Sequence, residues 1–230
     1  MEISKVTITG ADDRTDIGKL IELSRKYQFA EWGILFSKSK EGQQRYPSKE
    51  WIDELLKNDI KLSAHFCGWF SKEVLENKNL DLIKALFSSN FKRVQLNYNF
   101  KNSHGWSLAH ILDFANSYEI EIILQHNRSN KKYLDNFLSQ KPPSNINFLY
   151  DASGGRGTEI VNIPPPIIDH YTGYAGGIGL ENIQEVCHKI QNLGDESKVW
   201  IDLESGARTN NEFDLDKVEE ILRISKFFIN

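Results

Sequence analysis

Short runs of β-branched and aliphatic residues recur about every 25–30 residues along this chain, each followed by a stretch of helical period. No other feature constrains the fold as tightly. Strands read near 5–9, 32–37, 62–66, 93–97, 121–125, 147–151, 172–175 and 199–203. Helical patterns lie between and after them, at 17–27, 49–58, 107–118, 131–139, 181–192 and 214–224. Ser48 is placed to cap the second helix, with Glu50 in its first turn. Pro164-Pro165-Pro166 forbids a long helix in the sixth connection. Strand–helix alternation makes a parallel sheet. Eight such units fit a closed barrel of about 250 residues better than an open doubly wound sheet. The expectation is therefore the α/β class, a single (β/α)8 TIM barrel, with residues 1–230 as one domain and no linker within it.

Charge narrows the partners. The chain carries 28 Lys+Arg against 32 Asp+Glu, a balance unlike the basic footprint of a nucleic-acid binder. Hydrophobic residues make up 40% of it, enough to bury a core. No run approaches the roughly 20 apolar residues that cross a bilayer. The start, Met1 to Val6, lacks the basic and then apolar pattern of a secretory signal. Cys67 and Cys187 form neither a disulfide framework nor a close metal-binding pair. A cytoplasmic monomer or homodimer is expected, with a small phosphorylated substrate and no nucleic acid, membrane or cofactor.

In an eight-fold barrel the chemistry gathers at the C-terminal ends of the strands. Those positions hold Thr9, Ser37, His65, Asn97, Gln125 or His126, Asp151, Gly176 and Glu204. By alternation, Ser63 and His65 share an inward face, as do Gln95 and Asn97, and Asp202 and Glu204. Polar groups there need partners or a ligand. Three glycine turns follow the last three strands: Gly154-Gly155-Arg156-Gly157, Gly176-Gly177 and Ser205-Gly206. Glycine lets backbone approach a ligand closely, and this end of the barrel is a recurrent phosphate site. Arg156 and Arg208 either add charge there or are solvated surface arginines. The five tryptophans show no repeat spacing and read as helix–sheet packing, with Trp69 and Trp106 the two placed to stack on an aromatic substrate.

These motifs resemble the phosphoribosylanthranilate isomerases. That family's seventh strand runs into Ala-Gly-Gly-Leu-x-Pro-x-Asn, to which Ala175 through Asn182 are similar. Its eighth strand ends Asp-x-Ser-Ser-Gly-Val-Glu, which Asp202 through Arg208 resemble with Glu204 in place of the first Ser. Its sixth strand ends in a general-acid Asp and a Gly-Gly-Thr-Gly loop, matched by Asp151 and Gly154-Gly155-Arg156-Gly157 after a shorter spacer. An Arg-Tyr after its second strand receives the anthranilate carboxylate, and Arg45-Tyr46 lies comparably. Its first strand ends Lys-Ile-Cys-Gly, where the Cys is the general base. Here the segment is Thr7-Ile8-Thr9-Gly10.

The resemblance implies an aldose–ketose isomerisation, with a substrate that can differ from the family's. An acid opens the sugar ring and a base then takes the proton from C2. Asp151 takes the acid role. A threonine is a poor base near neutrality, so His65 is the best remaining candidate for the second role. Gly154, Gly155, Gly157, Gly176, Gly177, Ser205 and Gly206 would form the phosphate site, with Arg45, Asn97 and Glu204 contacting the rest of the substrate. A lysine Schiff base is not expected, since Lys5 and Lys61 lie at the wrong strand ends. Two alternatives stay open. One is a non-catalytic barrel that binds a phosphorylated metabolite as a sensor or partner subunit. The other is a metal-assisted enzyme using His65, Asp151 and Glu204, although no local ligand spacing marks a metal site.

Overall fold

A computed structural model describes every residue except 85–90, 101–106, 152–162, 195 and 230. Eight parallel strands close into a barrel in sequence order: β1 (Glu2–Thr9), β2 (Ala30–Phe36), β3 (Leu62–Cys67), β4 (Phe91–Asn97), β5 (Glu121–His126), β6 (Ile146–Asp151), β7 (Thr172–Ala175) and β8 (Lys198–Leu203). Pairing of Thr7 with Asp202 and of Ile8 with Leu203 brings β8 back against β1. The fold is the expected (β/α)8 TIM barrel, with all eight strands where the hydrophobic runs placed them.

The helices packed outside are α1 (Ile17–Lys26), α2 (Lys49–Leu55), α3 (Trp69–Glu76), α4 (Leu80–Lys84), α5 (Leu108–Tyr118), α6 (Lys131–Ser139), α7 (Ile183–Gln191) and α8 (Leu215–Ser225). Ser48 caps α2 as expected, accepting from the Trp51 amide. The described part of the sixth connection, 163–171, contains no helix. Helices α3 and α4 were not anticipated. Gly68 precedes α3 without a side-chain cap, so its start lacks the Ser, Thr, Asp or Asn that marks most helices. A small hairpin after the barrel, β9 (Arg208–Thr209) and β10 (Glu212–Phe213), was also missed. Its turn uses Asn210 and Asn211, both at positive φ, which asparagine tolerates.

Outward residues such as Leu62, Ala64, Val94, Leu96 and Ile201 join the main apolar core beneath the helices. The barrel interior is built differently. Glu31 of β2 is buried and accepts from Lys5 Nζ, Thr7 Oγ1 and Arg93 Nη1, each at 2.8 Å. The Arg93 guanidinium also lies over the Trp200 ring at 4.2 Å. Trp200 thus departs from the expectation of helix–sheet packing. It points inward, into space that glycine leaves: a Cβ on Gly173 would stand 2.2 Å from the indole. Trp32 and Trp51 follow the expectation, packing outside with their ring nitrogens on Ser24 Oγ and the Thr15 carbonyl.

Burial alone would push the Glu31 carboxyl up, but the charges of Arg93 and Lys5 outweigh it and hold it at about 2. A carboxyl lowered in the folded state stabilises the fold above its ordinary value of 4.5, and that contribution is lost as pH falls toward about 2. The difference corresponds to about 3 kcal/mol at neutral pH. Glu31→Gln leaves Arg93 buried without its main counter-charge, and should cost roughly 3–5 kcal/mol in urea unfolding at pH 7. It should also flatten the acid limb of stability between pH 4.5 and 2. An unchanged unfolding midpoint and limb would show that this network does not hold the barrel.

Candidate active site

The C-terminal mouth opens into a cavity of about 960 Å³. Strand alternation alone brings Thr9, His65, Asn97, Gln125, Asp151 and Asp202 to its walls, from six different strands. Arg45, Glu204, Gly176, Gly177, Ser205 and Gly206 line it as well. Gly154, Gly155, Arg156, Gly157 and Trp106 lie outside the described residues.

The deepest polar cluster joins three strands. Thr9 Oγ1 donates to Asp202 Oδ1 at 3.3 Å, and His65 Nε2 lies 3.8 Å from Asp202 Oδ2. All three residues are buried. Gly33 of β2, between β1 and β3, makes room for them: a Cβ there would stand 2.1 Å from Thr9 Oγ1 and 3.0 Å from the His65 ring. Burial pushes the imidazole down to about 3, against the field of Glu31, so His65 is a neutral ring at physiological pH. The expectation of a histidine titrating near neutrality is therefore corrected. Burial pushes Asp202 the other way, well above the usual carboxylate range. The two side chains lie side by side without a hydrogen bond between them. Neither His65 Nε2 nor Asp202 Oδ2 has a hydrogen-bond partner among the described residues.

A second cluster lies on β3 and β4. Gln95 donates to Asn97 Oδ1 at 2.8 Å, and Asn97 Nδ2 donates to the sulfur of Cys67 at 3.4 Å. The Gln95 side-chain carbonyl has no partner among the described residues. Burial raises the Cys67 thiol, although the Asn97 hydrogen bond works against it. Cys67 and Asp202 were not among the expected site residues. The same alternation that put His65 and Glu204 inward implied both.

Arg45, on the long loop before α2, has positive φ and is fixed by its backbone amide donating to Asp12 at 2.8 Å. Its guanidinium reaches Glu204 Oε1 at 2.5 Å and Asn211 Oδ1 at 2.9 Å. Glu204 is thus paired across the mouth with Arg45. Arg208 follows neither reading made for it. It is buried, bonded to the carbonyls of Gly10 and Asn211 and to Asp12, and fixes the hairpin that carries Asn211. His126 faces Asp135 and the edge of Tyr150 rather than the cavity. Trp69 sits under Lys38, also outside it. Among the described residues, no three His, Cys, Asp or Glu side chains converge as a metal site, so the trio of His65, Asp151 and Glu204 is not assembled.

The turns after β7 and β8 meet in one glycine-lined wall. Gly176 and Gly177 take positive φ, and Asn182 ties the turn by accepting from the Gly179 amide and donating to the Gly177 carbonyl, each at 2.9 Å. Gly206 packs so closely that a Cβ would stand 1.9 Å from the Ile178 carbonyl oxygen. No helix among the described residues is long and apolar enough to cross a membrane.

No protein-family model matches this chain, and no curated protein matches it. Solved structures do. The N-(5'-phosphoribosyl)anthranilate isomerase of Pyrococcus furiosus is similar at a TM-score of 0.60 and 17% identity, over 97% of this chain and 99% of that one. A phosphoribosylanthranilate isomerase of Thermotoga maritima gives 0.61 and 16%, over 98% and 100%. The 3-hexulose-6-phosphate synthase of Salmonella typhimurium gives 0.54 and 9%, over 97% and 99%. At these identities the likeness establishes the barrel fold.

Replacing Glu204 by Gln should free one of the two side-chain contacts of Arg45 and tighten the binding of a small aromatic carboxylate such as benzoate several-fold, read by calorimetry. Unchanged affinity would mean that Glu204 does not compete for Arg45.

Proposed function

We propose that this chain is a phosphoribosylanthranilate isomerase-like enzyme, acting on a phosphorylated sugar or aminosugar by acid–base proton transfer. The observation that carries this reading is the mouth cavity. It brings Asp151 of β6 together with Thr9 and His65 of β1 and β3, beside the glycine wall of β7 and β8. Likeness in fold to two phosphoribosylanthranilate isomerases over nearly their whole length supports it.

In this reading the glycine wall and Ser205 hold the phosphate. Glu204 is paired with Arg45, so its negative charge is offset beside a phosphate bound there. Asp151 protonates the ring oxygen and opens the sugar. The polar cluster on β1, β3 and β8 then takes the proton from C2. Asn97 and Gln95 read sugar hydroxyls, for which the carbonyl of Gln95 has an acceptor to offer. Thr9, standing where the family has its catalytic cysteine, favours a second reading, a barrel that binds a phosphorylated metabolite without turning it over.

Isomerisation of phosphoribosylanthranilate, followed through loss of its fluorescence, separates the two. The enzyme reading expects turnover, falling by about 10²–10⁴ in Asp151→Ala. Binding without turnover at high protein concentration would overturn it in favour of the binder.

A further inference from the structure

The geometry points to Asp202, at the end of β8, as the group that removes the C2 proton, with Thr9 as its positioning residue. This rests on the isomerase reading above and goes beyond it by identifying the base. Two observations favour Asp202 over its neighbours. It lines the cavity floor, buried, with Oδ2 unpaired among the described residues while Oδ1 is held by the Thr9 hydroxyl. Gly33 leaves the space that lets Thr9 and His65 approach one another across β2. The hydroxyl where the family has its thiol is thus not itself the base. It points a hydrogen bond at a carboxyl from the adjoining strand, so the proton-accepting atom has moved from β1 to β8.

His65 is the weaker base because a charge on its ring is disfavoured at this depth. Its Nε2 stands 3.8 Å from Oδ2, close but not hydrogen-bonded to it, so it leaves that oxygen open to a proton. Cys67 sits nearer the mouth and is held by Asn97. Once the sugar is open as an iminium ion, the C2–H bond breaks and its proton goes to Asp202 Oδ2. The electron pair of that bond forms C1=C2, and the C1=N pair returns to nitrogen. Delivery of the same proton to C1, while the C2 hydroxyl proton passes to the Asp151 carboxylate left by ring opening, gives the aminoketose and restores both the Asp202 carboxylate and the Asp151 acid.

The carboxyl feels every element around it. Burial, Glu31 and Glu204 push its titration up, whereas Arg93 and the Thr9 hydrogen bond pull it down. A carboxyl raised in this way can serve as base and then as acid.

Asp202→Asn is nearly isosteric and should fold. Turnover should fall by about 10²–10⁴, while affinity for the reduced, non-isomerisable phosphoribityl anthranilate stays unchanged. Asp202→Glu should recover part of the activity. In the wild type kcat/KM should rise with pH through the Asp202 titration. Thr9→Val, which removes a hydrogen bond that favours the carboxylate, should move that limb to higher pH. Difference infrared spectra should show a protonated carboxyl that persists above the ordinary carboxylate range and is lost in Asp202→Asn. An Asn variant as active as the wild type, or a limb unmoved by Thr9→Val, overturns the assignment of Asp202 and leaves the isomerase reading intact. A wild type inert toward the substrate overturns the isomerase reading, and the assignment with it. Absence of the infrared band counts against Asp202 in either case.

Discussion

The pairing of Glu31 with Arg93 inside the barrel is the interaction on which the other interior contacts depend. Most barrels of this kind fill their middle with branched aliphatic side chains. Here two buried opposite charges occupy it, joined by Lys5 and Thr7 and roofed by Trp200. A buried pair of this sort contributes little net stability compared with well-packed apolar residues, but removing one member is expensive. It therefore commits neighbouring strands to a polar interior. β2 and β4 are fixed to one another through their inward faces, and the field of the pair reaches the floor of the cavity. Both His65 and Asp202 feel Glu31 and Arg93, so the fold and the electrostatics of the site share one cause.

Much of this was legible in the sequence. The strand runs are short, aliphatic and regularly spaced, and alternation within each run is a rigid geometric rule, so the inward set at the mouth could be read off residue by residue. What was not legible came from relations between strands. The environment of His65 depends on Gly33 and Asp202, neither of which is near it in sequence. Arg208 resembled a loop charge until the hairpin turned it under Gly10 and Asp12. Alternation with Asp202 already turned Trp200 inward, but the space that admits so large a ring is made by the missing side chain of Gly173. Helix α3 lacked a start signal altogether, since its first turn is reached through a glycine with positive φ.

The mouth is organised by a second long-range pairing. Arg45 and Glu204 come from opposite ends of the chain, and Asn211 holds both Arg45 and Gln44 through the same short hairpin. One rim of the cavity is therefore a closed circuit of hydrogen bonds between the loop after β2 and the segment after β8. Shape at this rim is decided by the hairpin as much as by the barrel strands.

The plug formed by Trp200 and Arg93 has a consequence for isotopes. Both side chains are fully buried, and they fill the barrel beneath Asp202. With a molecule seated in the mouth, the described residues leave the floor no route to bulk water from that side. Under the assignment of Asp202 proposed above, a hydrogen taken from C2 would then have little chance to exchange before its delivery to C1. A deuterium label placed at C2 of the aldose would be carried to C1 of the ketose, as an internal transfer within one bound molecule.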